Sequence, residues 1–81
     1  MVAAVSYLKF EEVKDTGKTK VFSVESIQGG DRLGSIKWHA PWRRYVLFPS
    51  SNVLFDSNCL LEICSFIGRL MLDRIESKYQ K

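Results

Sequence analysis

The densest group of residues that could do chemistry lies between residues 37 and 45. These nine residues contain two Trp, one Tyr, one His and three cations. Aromatic rings set among Lys and Arg are typical of sites for single-stranded nucleic acid, because bases stack on the rings while the cations follow the phosphates. The alternative interpretation is that Trp38 and Trp42 pack in the core and at a turn, with Arg43 and Arg44 as solvated charges or cation–π partners of the indoles. The sequence leaves both interpretations open.

Catalytic and metal chemistry have little support in the residue types available. His39 is the single histidine, and the sequence has no Gly-x-Ser-x-Gly motif. Cys59 and Cys64 lie five positions apart in a predicted helix, a spacing that does not form a disulfide. Together with His39 they are too few for a tetrahedral metal site. We therefore expect no enzyme activity, no metal and no cofactor.

Composition points to one small folded domain. The chain has 81 residues, of which 46% are hydrophobic and 26% are charged, so we expect a single domain spanning residues 1–81. Its net charge of +3 mildly favours anionic partners. The N-terminal residues 1–5 lack a basic signal region, and no apolar run is long enough to span a bilayer. The sequence therefore predicts no membrane association and a cytoplasmic location.

Alternating apolar and polar residues predict a four-stranded antiparallel meander sheet over about residues 6–48. The predicted strands are 6–13, 19–27, 33–39 and 43–48. The first two connections contain the Gly and Asp residues that turns require, and Pro41 interrupts the ladder before the fourth strand. This order of strands predicts that each one pairs with the next along the chain.

A single amphipathic helix is predicted over about residues 57–77, which makes the fold class α+β. Asp56, Ser57 and Asn58 are good N-cap residues, and apolar residues then recur at steps of three and four. The apolar stripe must pack on one face of the sheet. Leu61, Phe66 and Leu72 fall outside its centre, which leaves two explanations: broad packing around the helix, or a homodimer contact through it.

The alternation assigns the strand residues to two faces. The helix is expected to cover Leu8, Phe10, Phe22, Val24, Ile36, Trp38, Val46 and Phe48. The opposite, open face then carries the candidate binding residues, which are Tyr7, Lys9, Lys37, His39, Arg43 and Tyr45, with Trp42 at the adjoining turn. Glu11 and Glu25 share this face and reduce its positive potential.

Several short motifs resemble a family of small proteins encoded by bacteriophages and prophages, largely of undefined function. They are Leu33 to Trp38, Pro41 to Tyr45, Phe48-Pro49, Phe55 and Cys59-Leu60. The pattern is similar to a Leu-Gly-x-Ile-x-Trp, Trp-Arg-x-Tyr, Phe-x-Pro core and covers roughly Phe22 to Leu70. The resemblance implies a phage origin, and thus the cytoplasm of a bacterial host, more than it implies an activity.

Two functional hypotheses follow from these observations. The first is a phage-type accessory protein that binds nucleic acid, in particular single-stranded, on the open face. The second is a protein-interaction module that inhibits or modulates a host enzyme or defence complex, with Trp42, Arg43 and Tyr45 as anchors, because Trp, Tyr and Arg dominate interface hot spots. The order of four strands and a helix also resembles, in topology alone, coactivators that bind single-stranded DNA and dimerise through such a helix.

Overall fold

The computed structural model describes residues 7–79, with the side chains of residues 7–75. The predicted start of the sheet at residue 6 and the N-terminal residues 1–5 lie outside this part of the chain. The elements, in chain order, are strands β1 (Leu8–Asp15), β2 (Lys20–Ser26) and β3 (Arg32–His39), a 3₁₀ turn (Ala40–Trp42), strand β4 (Arg44–Pro49) and helix α1 (Ser57–Tyr79). The predicted α+β class is confirmed.

The four strands form one antiparallel sheet in the order β1-β2-β3-β4, so the predicted meander is confirmed. Phe10 pairs with Val24, which pairs in turn with Gly34 on β3. Directly paired residues lie on the same face of a sheet, so these pairs align the apolar rows of neighbouring strands. The result is one apolar face, which α1 covers, and one open face.

The connection between β3 and β4 determines which residues of β4 lie on each face. His39 pairs with Arg44 across a loop of four residues, Ala40 to Arg43. Arg43 has φ 53°, in the left-handed region, and is therefore a turn residue and not part of the strand. Trp38 consequently pairs with Tyr45, and Ile36 with Leu47. Tyr45 and Leu47 therefore lie under the helix.

Three of the predicted face assignments on β4 are wrong for this reason. The residues predicted under the helix, Val46 and Phe48, pair with Lys37 and Ser35 and lie on the open face. Tyr45, predicted on the open face, is 6% exposed and belongs to the core. Its ring meets Trp38 edge-on with centroids 5.4 Å apart, and its hydroxyl accepts a hydrogen bond of 3.2 Å from the Lys20 N–H.

Helix α1 crosses the apolar face from the edge strand β1 to the opposite edge at β4. Near its beginning, Glu62 accepts hydrogen bonds from the backbone N–H groups of Tyr7 (2.9 Å) and Leu8 (3.4 Å). Phe66 stacks on Phe10 with centroids 4.2 Å apart, and further along the Met71 sulfur lies 3.5 Å from the Tyr45 nitrogen. The helix thus contacts both edge strands and packs with them in one core.

The apolar residues that the helix leaves exposed are not the same set that the sequence predicts. Phe66 packs against the core and also meets Phe22 edge-on, so it is part of the sheet–helix packing. Leu61 and Leu72 are 65% and 62% exposed, and Leu60 and Ile75 of the same helix are 50% and 48% exposed. The homodimer through the helix stays a prediction that now depends on these four residues.

Gly34 leaves no room for a side chain between β3 and β4. A Cβ atom at this position would lie 2.6 Å from the carbonyl oxygen of Phe48 and 3.1 Å from the Cα of Pro49. Backbone atoms cannot move aside as a flexible side chain can, so only glycine fits without displacing β4. The position of β4, and of every residue it presents, therefore depends on this glycine.

Candidate functional site

The open face is a broad, mostly polar surface with more positive than negative charge. We define it by the outward-pointing residues of the four strands together with Trp42. Five cations against two carboxylates give it a net charge of +3; the cations are Lys9, Lys14, Arg32, Lys37 and Arg44, and the carboxylates are Glu11 and Glu25. Such a surface favours anionic partners.

An aromatic cluster lies at the corner of the open face where β3 turns into β4. The ring of His39 meets Trp42 edge-on, with centroids 4.9 Å apart, and approaches Phe48 at 6.1 Å. The Lys37 ammonium group lies 4.5 Å from the centroid of the Phe48 ring, within cation–π distance. Arg44 is exposed and pairs with His39 across the strands. We call these five residues the corner cluster.

Trp42 is the most accessible ring of the corner cluster. Its side chain is 66% exposed, because the 3₁₀ turn lifts it beyond the end of the strands. Pro41 lies within this turn, and the backbone N–H of Arg43 closes it with a 3.1 Å bond to the Ala40 carbonyl. The indole is therefore held by a short, closed turn and has a surface to which a flat ligand can bind.

Two serines of the open face each form a hydrogen bond with a charged side chain of the same strand. Ser23 is buried and donates a hydrogen bond of 3.1 Å to the Glu25 carboxylate. Arg32 donates one of 2.8 Å to the hydroxyl of Ser35. Both carboxylates of the face belong to β1 and β2, whereas the corner cluster lies on β3 and β4. The positive potential is thus concentrated away from Glu11 and Glu25.

The structure brings together three of the seven predicted site residues, namely Lys37, His39 and Trp42. Lys9 is exposed on the same face, but on β1, three strands from β4. Tyr7 is exposed just before β1, at the opposite corner of the sheet. These two residues could only contact a ligand that extends across the whole face.

The other two predicted residues, Arg43 and Tyr45, do not lie on the open face. Tyr45 is a core residue, as described above. Arg43 follows the 3₁₀ turn in the left-handed conformation and lines a groove on the helix side of the sheet. The predicted placement of both residues is wrong because it counts Arg43 as a strand residue, whereas Arg43 lies in the turn.

Arg44 and Phe48 are members of the corner cluster that sequence reasoning missed. The hairpin itself indicates on which face these residues lie, because a tight hairpin loop pairs the residue before it with the residue after it. If His39 lies on the open face, then its partner Arg44 lies there too, followed by Val46 and Phe48. The loop length was the missing information.

Two groups at the start of the helix have perturbed pKa values. Asp56 accepts a hydrogen bond of 2.9 Å from the Cys59 N–H, which caps the helix and lowers the pKa of the Asp56 carboxyl. Burial raises the pKa of the Cys59 thiol, and the neighbouring Asp56 adds to this effect. Both shifts fit a structural cap. They also make the Cys59 thiol a poor nucleophile at neutral pH.

The described part of the chain contains no cluster of metal-binding side chains and no helix that could cross a membrane. Within residues 7–79, no three His, Cys, Asp or Glu side chains come together as metal ligands. Across the same residues, α1 is not apolar enough over a sufficient length to cross a membrane. Cys59 is half-buried and Cys64 is exposed, and both are free thiols.

The fold and the open face define a small α+β sheet protein with one uncovered sheet face. The chain belongs to the same family as a small phage protein, described as an uncharacterized 9.3 kDa protein of Acholeplasma phage L2. The two are 40% identical over 75 residues, which cover 90% of this chain and 95% of the phage protein. No family model matches the chain. No solved structure matches it either.

Proposed function

We propose that this protein is a phage accessory protein that binds single-stranded nucleic acid on its open face. The observation that carries the proposal is the corner cluster, in which an exposed indole lies beside an imidazole and two cations, Lys37 and Arg44. We further propose that the protein is a binding protein and not an enzyme. The contacts of the His39 ring are aromatic, with Trp42 and Phe48, and do not orient it as a general base.

The corner cluster suits unpaired bases for a physical reason. An exposed ring offers a stacking surface to any base, and each base stacked on an aromatic side chain contributes about 1–3 kcal/mol. Lys37 lies over Phe48 and Arg44 pairs with His39, so both cations can contact the phosphates of the same strand. A sheet face does not enter the major groove of a duplex as a helix does, so a single strand is the better match.

The distribution of carboxylates indicates the path of the bound strand. Glu11 and Glu25 lie on β1 and β2, where they would repel phosphates, and Glu25 is held there by Ser23. Lys37, Arg44 and the aromatic rings lie on β3 and β4. We therefore propose that the strand runs along β3 and β4 past Trp42, and that Lys9 and Tyr7 make minor contributions.

Fluorescence anisotropy with a labelled oligothymidylate of about 15 nucleotides tests the proposal. The wild type should bind at about 50 mM salt and much more weakly at about 200 mM. Trp42→Ala should weaken binding by about 1–3 kcal/mol, which is roughly fivefold to 150-fold. Arg44→Gln should weaken it and reduce the salt slope by about 0.7, the value for one phosphate contact on a single strand.

The matched control is Arg69→Gln, which removes an exposed arginine from the helix side. This variant should bind the oligonucleotide as the wild type does. The proposal fails if the wild type shows no binding at the lower salt concentration, or if added salt has no effect. It also fails if Arg69→Gln weakens binding as much as Arg44→Gln, because the charge effect would then be nonspecific.

The second candidate function, modulation of a host enzyme or defence complex, is favoured by the exposure of Trp42 itself. Exposed Trp is rare on surfaces that bind nothing and is enriched at the centres of protein interfaces. If the open face is a protein interface, Trp42→Ala should abolish binding of the partner protein. The protein should then show no salt-dependent affinity for oligothymidylate. The titration described above therefore separates the two functions.

A further inference from the structure

A groove lies on the opposite side of the sheet from the open face. It is bounded by the turn between β1 and β2, by the end of the 3₁₀ turn and by the C-terminal half of α1, and it has a volume of about 1300 Å³. Pockets for small ligands measure roughly 300–1,000 Å³. This groove is larger than that range, and its size suits a segment of chain with several side chains.

Aromatic and aliphatic side chains form the floor of the groove. Phe22, Tyr45, Phe66, Leu70 and Met71 line it, and all of them belong to the core or pack against it. These residues are fixed by the packing of the helix on the sheet, so the floor exists before any partner binds. A preformed apolar floor lowers the entropic cost of binding.

The rim of the groove carries charges of both signs with an excess of cations. Five cations against three carboxylates give a net charge of +2; the residues are Lys18, Lys20, Arg43, Arg69 and Arg74, with Glu12, Asp15 and Asp73. Lys20 is paired with Glu12 at 3.5 Å. Lys18, Arg43 and Arg69 have no acidic partner among the described residues, so their charges are available to a ligand.

Arg43 occupies a position where arginine is not the expected residue. Its φ of 53° is in the left-handed region, where Gly or Asn would cost less than a residue with a long side chain. The conformation directs Arg43 to the groove although its neighbour Trp42 lies on the open face. The hairpin loop thus supplies one residue to each side of the sheet.

We propose that the groove binds an acidic polypeptide segment that also carries apolar side chains. The carboxylates of the segment would pair with Arg43, Arg69 and Lys18, and its apolar side chains would contact the floor. This arrangement of an apolar centre with an Arg-rich polar rim is typical of protein interfaces. The inference does not depend on the function of the open face.

Two observations favour a polypeptide over a nucleic acid in the groove. The ring of Trp38 has Arg74 at 4.0 Å from its centroid and Tyr45 edge-on at 5.4 Å, so it is covered and offers no free face to a base. Arg74 also donates a hydrogen bond of 3.1 Å to the Lys18 carbonyl, which holds it in place. In addition, Asp15 and Asp73 would repel a continuous phosphate backbone, whereas a peptide can space its charges to avoid them.

Selection of short random peptides on the immobilised wild-type protein tests the proposal. The recovered peptides should have a net negative charge and be enriched in Leu, Ile, Phe or Trp. One such peptide, labelled with a fluorophore, is then titrated against three variants. Its affinity should fall at least about tenfold for Arg43→Glu/Arg69→Glu, should fall by a smaller factor for Arg69→Glu alone, and should be unchanged for Arg44→Glu.

The outcomes distinguish the groove from the open face. Both arginines are exposed, so the charge reversals should leave the fold intact, which circular dichroism verifies. The same double variant should retain the affinity of the wild type for oligothymidylate. The proposal is overturned if no peptide is enriched, if the enriched peptides are basic or uncharged, or if Arg44→Glu is the variant that loses the peptide. Loss of oligothymidylate binding by Arg43→Glu/Arg69→Glu would assign the groove to nucleic acid and would also overturn it.

Discussion

The open face and the groove contain similar residue types but arrange them differently. Each has aromatic rings, arginines and lysines near the hairpin loop between β3 and β4. On the open face the indole of Trp42 is 66% exposed, and the cations stand beside the rings. In the groove the ring of Trp38 is covered by Arg74, and the cations form a rim around an apolar floor. Composition alone does not separate these two arrangements.

The two surfaces differ in how accessible their aromatic rings are. A ring with a free face can stack on a base, whereas a ring that is already packed can only contribute apolar surface. The adjacent residues Trp42 and Arg43 illustrate this, since the first belongs to the open face and the second to the groove. The accessibility of the rings therefore decides the partner expected at each surface.

The largest expected effect concerns two aromatic residues that the sequence places in one site. Tyr45→Ala should lower the free energy of unfolding by about 3 kcal/mol or more, because it removes a buried ring from the core. Trp42→Ala should change it by no more than about 0.5 kcal/mol, as is usual for an exposed residue. Urea denaturation measures both values. Equal losses for the two variants would show that Trp42 is packed and would break the comparison of the two surfaces.

Tyr45 also shows how far the sequence predicts this fold and where it stops. The four strands, their order and the helix follow from alternation, turn residues and the apolar stripe, because these signals are local. Alternation fixes the faces within one strand but not across a turn. The face on which each β4 residue lies depends on Arg43, whose left-handed conformation places it in the loop. The longer loop puts Tyr45 under the helix and Arg44 on the open face.

The candidate sites were predictable only in part for the same reason. Lys37 and His39 belong to β3, and Trp42 to the turn, so their placement did not depend on the phase of β4. Arg44 and Phe48 did depend on it and were missed. The groove depends on where the end of α1 lies relative to the turn between β1 and β2, and no local pattern in the sequence contains that information.

Gly34→Ala should have the next largest effect and should alter both surfaces at once. The added methyl group would meet the Phe48 carbonyl oxygen at 2.6 Å, so β4 must shift. Overpacking of this kind costs about 1–3 kcal/mol. Because β4 carries Tyr45 on one side and Arg44 on the other, we expect chemical-shift changes at residues of both the groove and the open face.

The control is Gly68→Ala, where a Cβ meets nothing within 4 Å and a gain in stability is expected. Shifts confined to one surface would contradict the role assigned to Gly34.

A smaller effect is expected at the helix cap, and it should affect one side of the sheet. Asp56→Ala removes the hydrogen bond to the Cys59 N–H and should destabilise the protein modestly at neutral pH, whereas Asp56→Asn should retain most of the stability. Because the pKa of Asp56 is lowered in the folded state from 3.8, its contribution is present above that pH and is lost as the pH falls below it. The stability difference between wild type and Asp56→Ala should therefore close in acid. If the stability difference between wild type and Asp56→Ala grows in acid, the cap is not its cause. If Asp56→Ala shifts the Trp42 indole resonance at neutral pH, the helix side and the open face are not separate.

The smallest expected effect is the influence of one ligand on the other, and it tests the comparison most directly. The two surfaces lie on opposite sides of one sheet, and two anionic ligands separated by more than about 8 Å are largely screened at physiological salt. A saturating concentration of oligothymidylate should therefore change the affinity for the selected acidic peptide by less than about twofold. Because binding linkage is reciprocal, the peptide should change the affinity for the oligonucleotide by the same small factor. Two anisotropy titrations with differently labelled ligands measure both factors. If each ligand displaces the other, one surface binds both. The hairpin loop is where this could occur, because a single anionic ligand could contact its adjacent residues Trp42 and Arg43 from either side of the sheet.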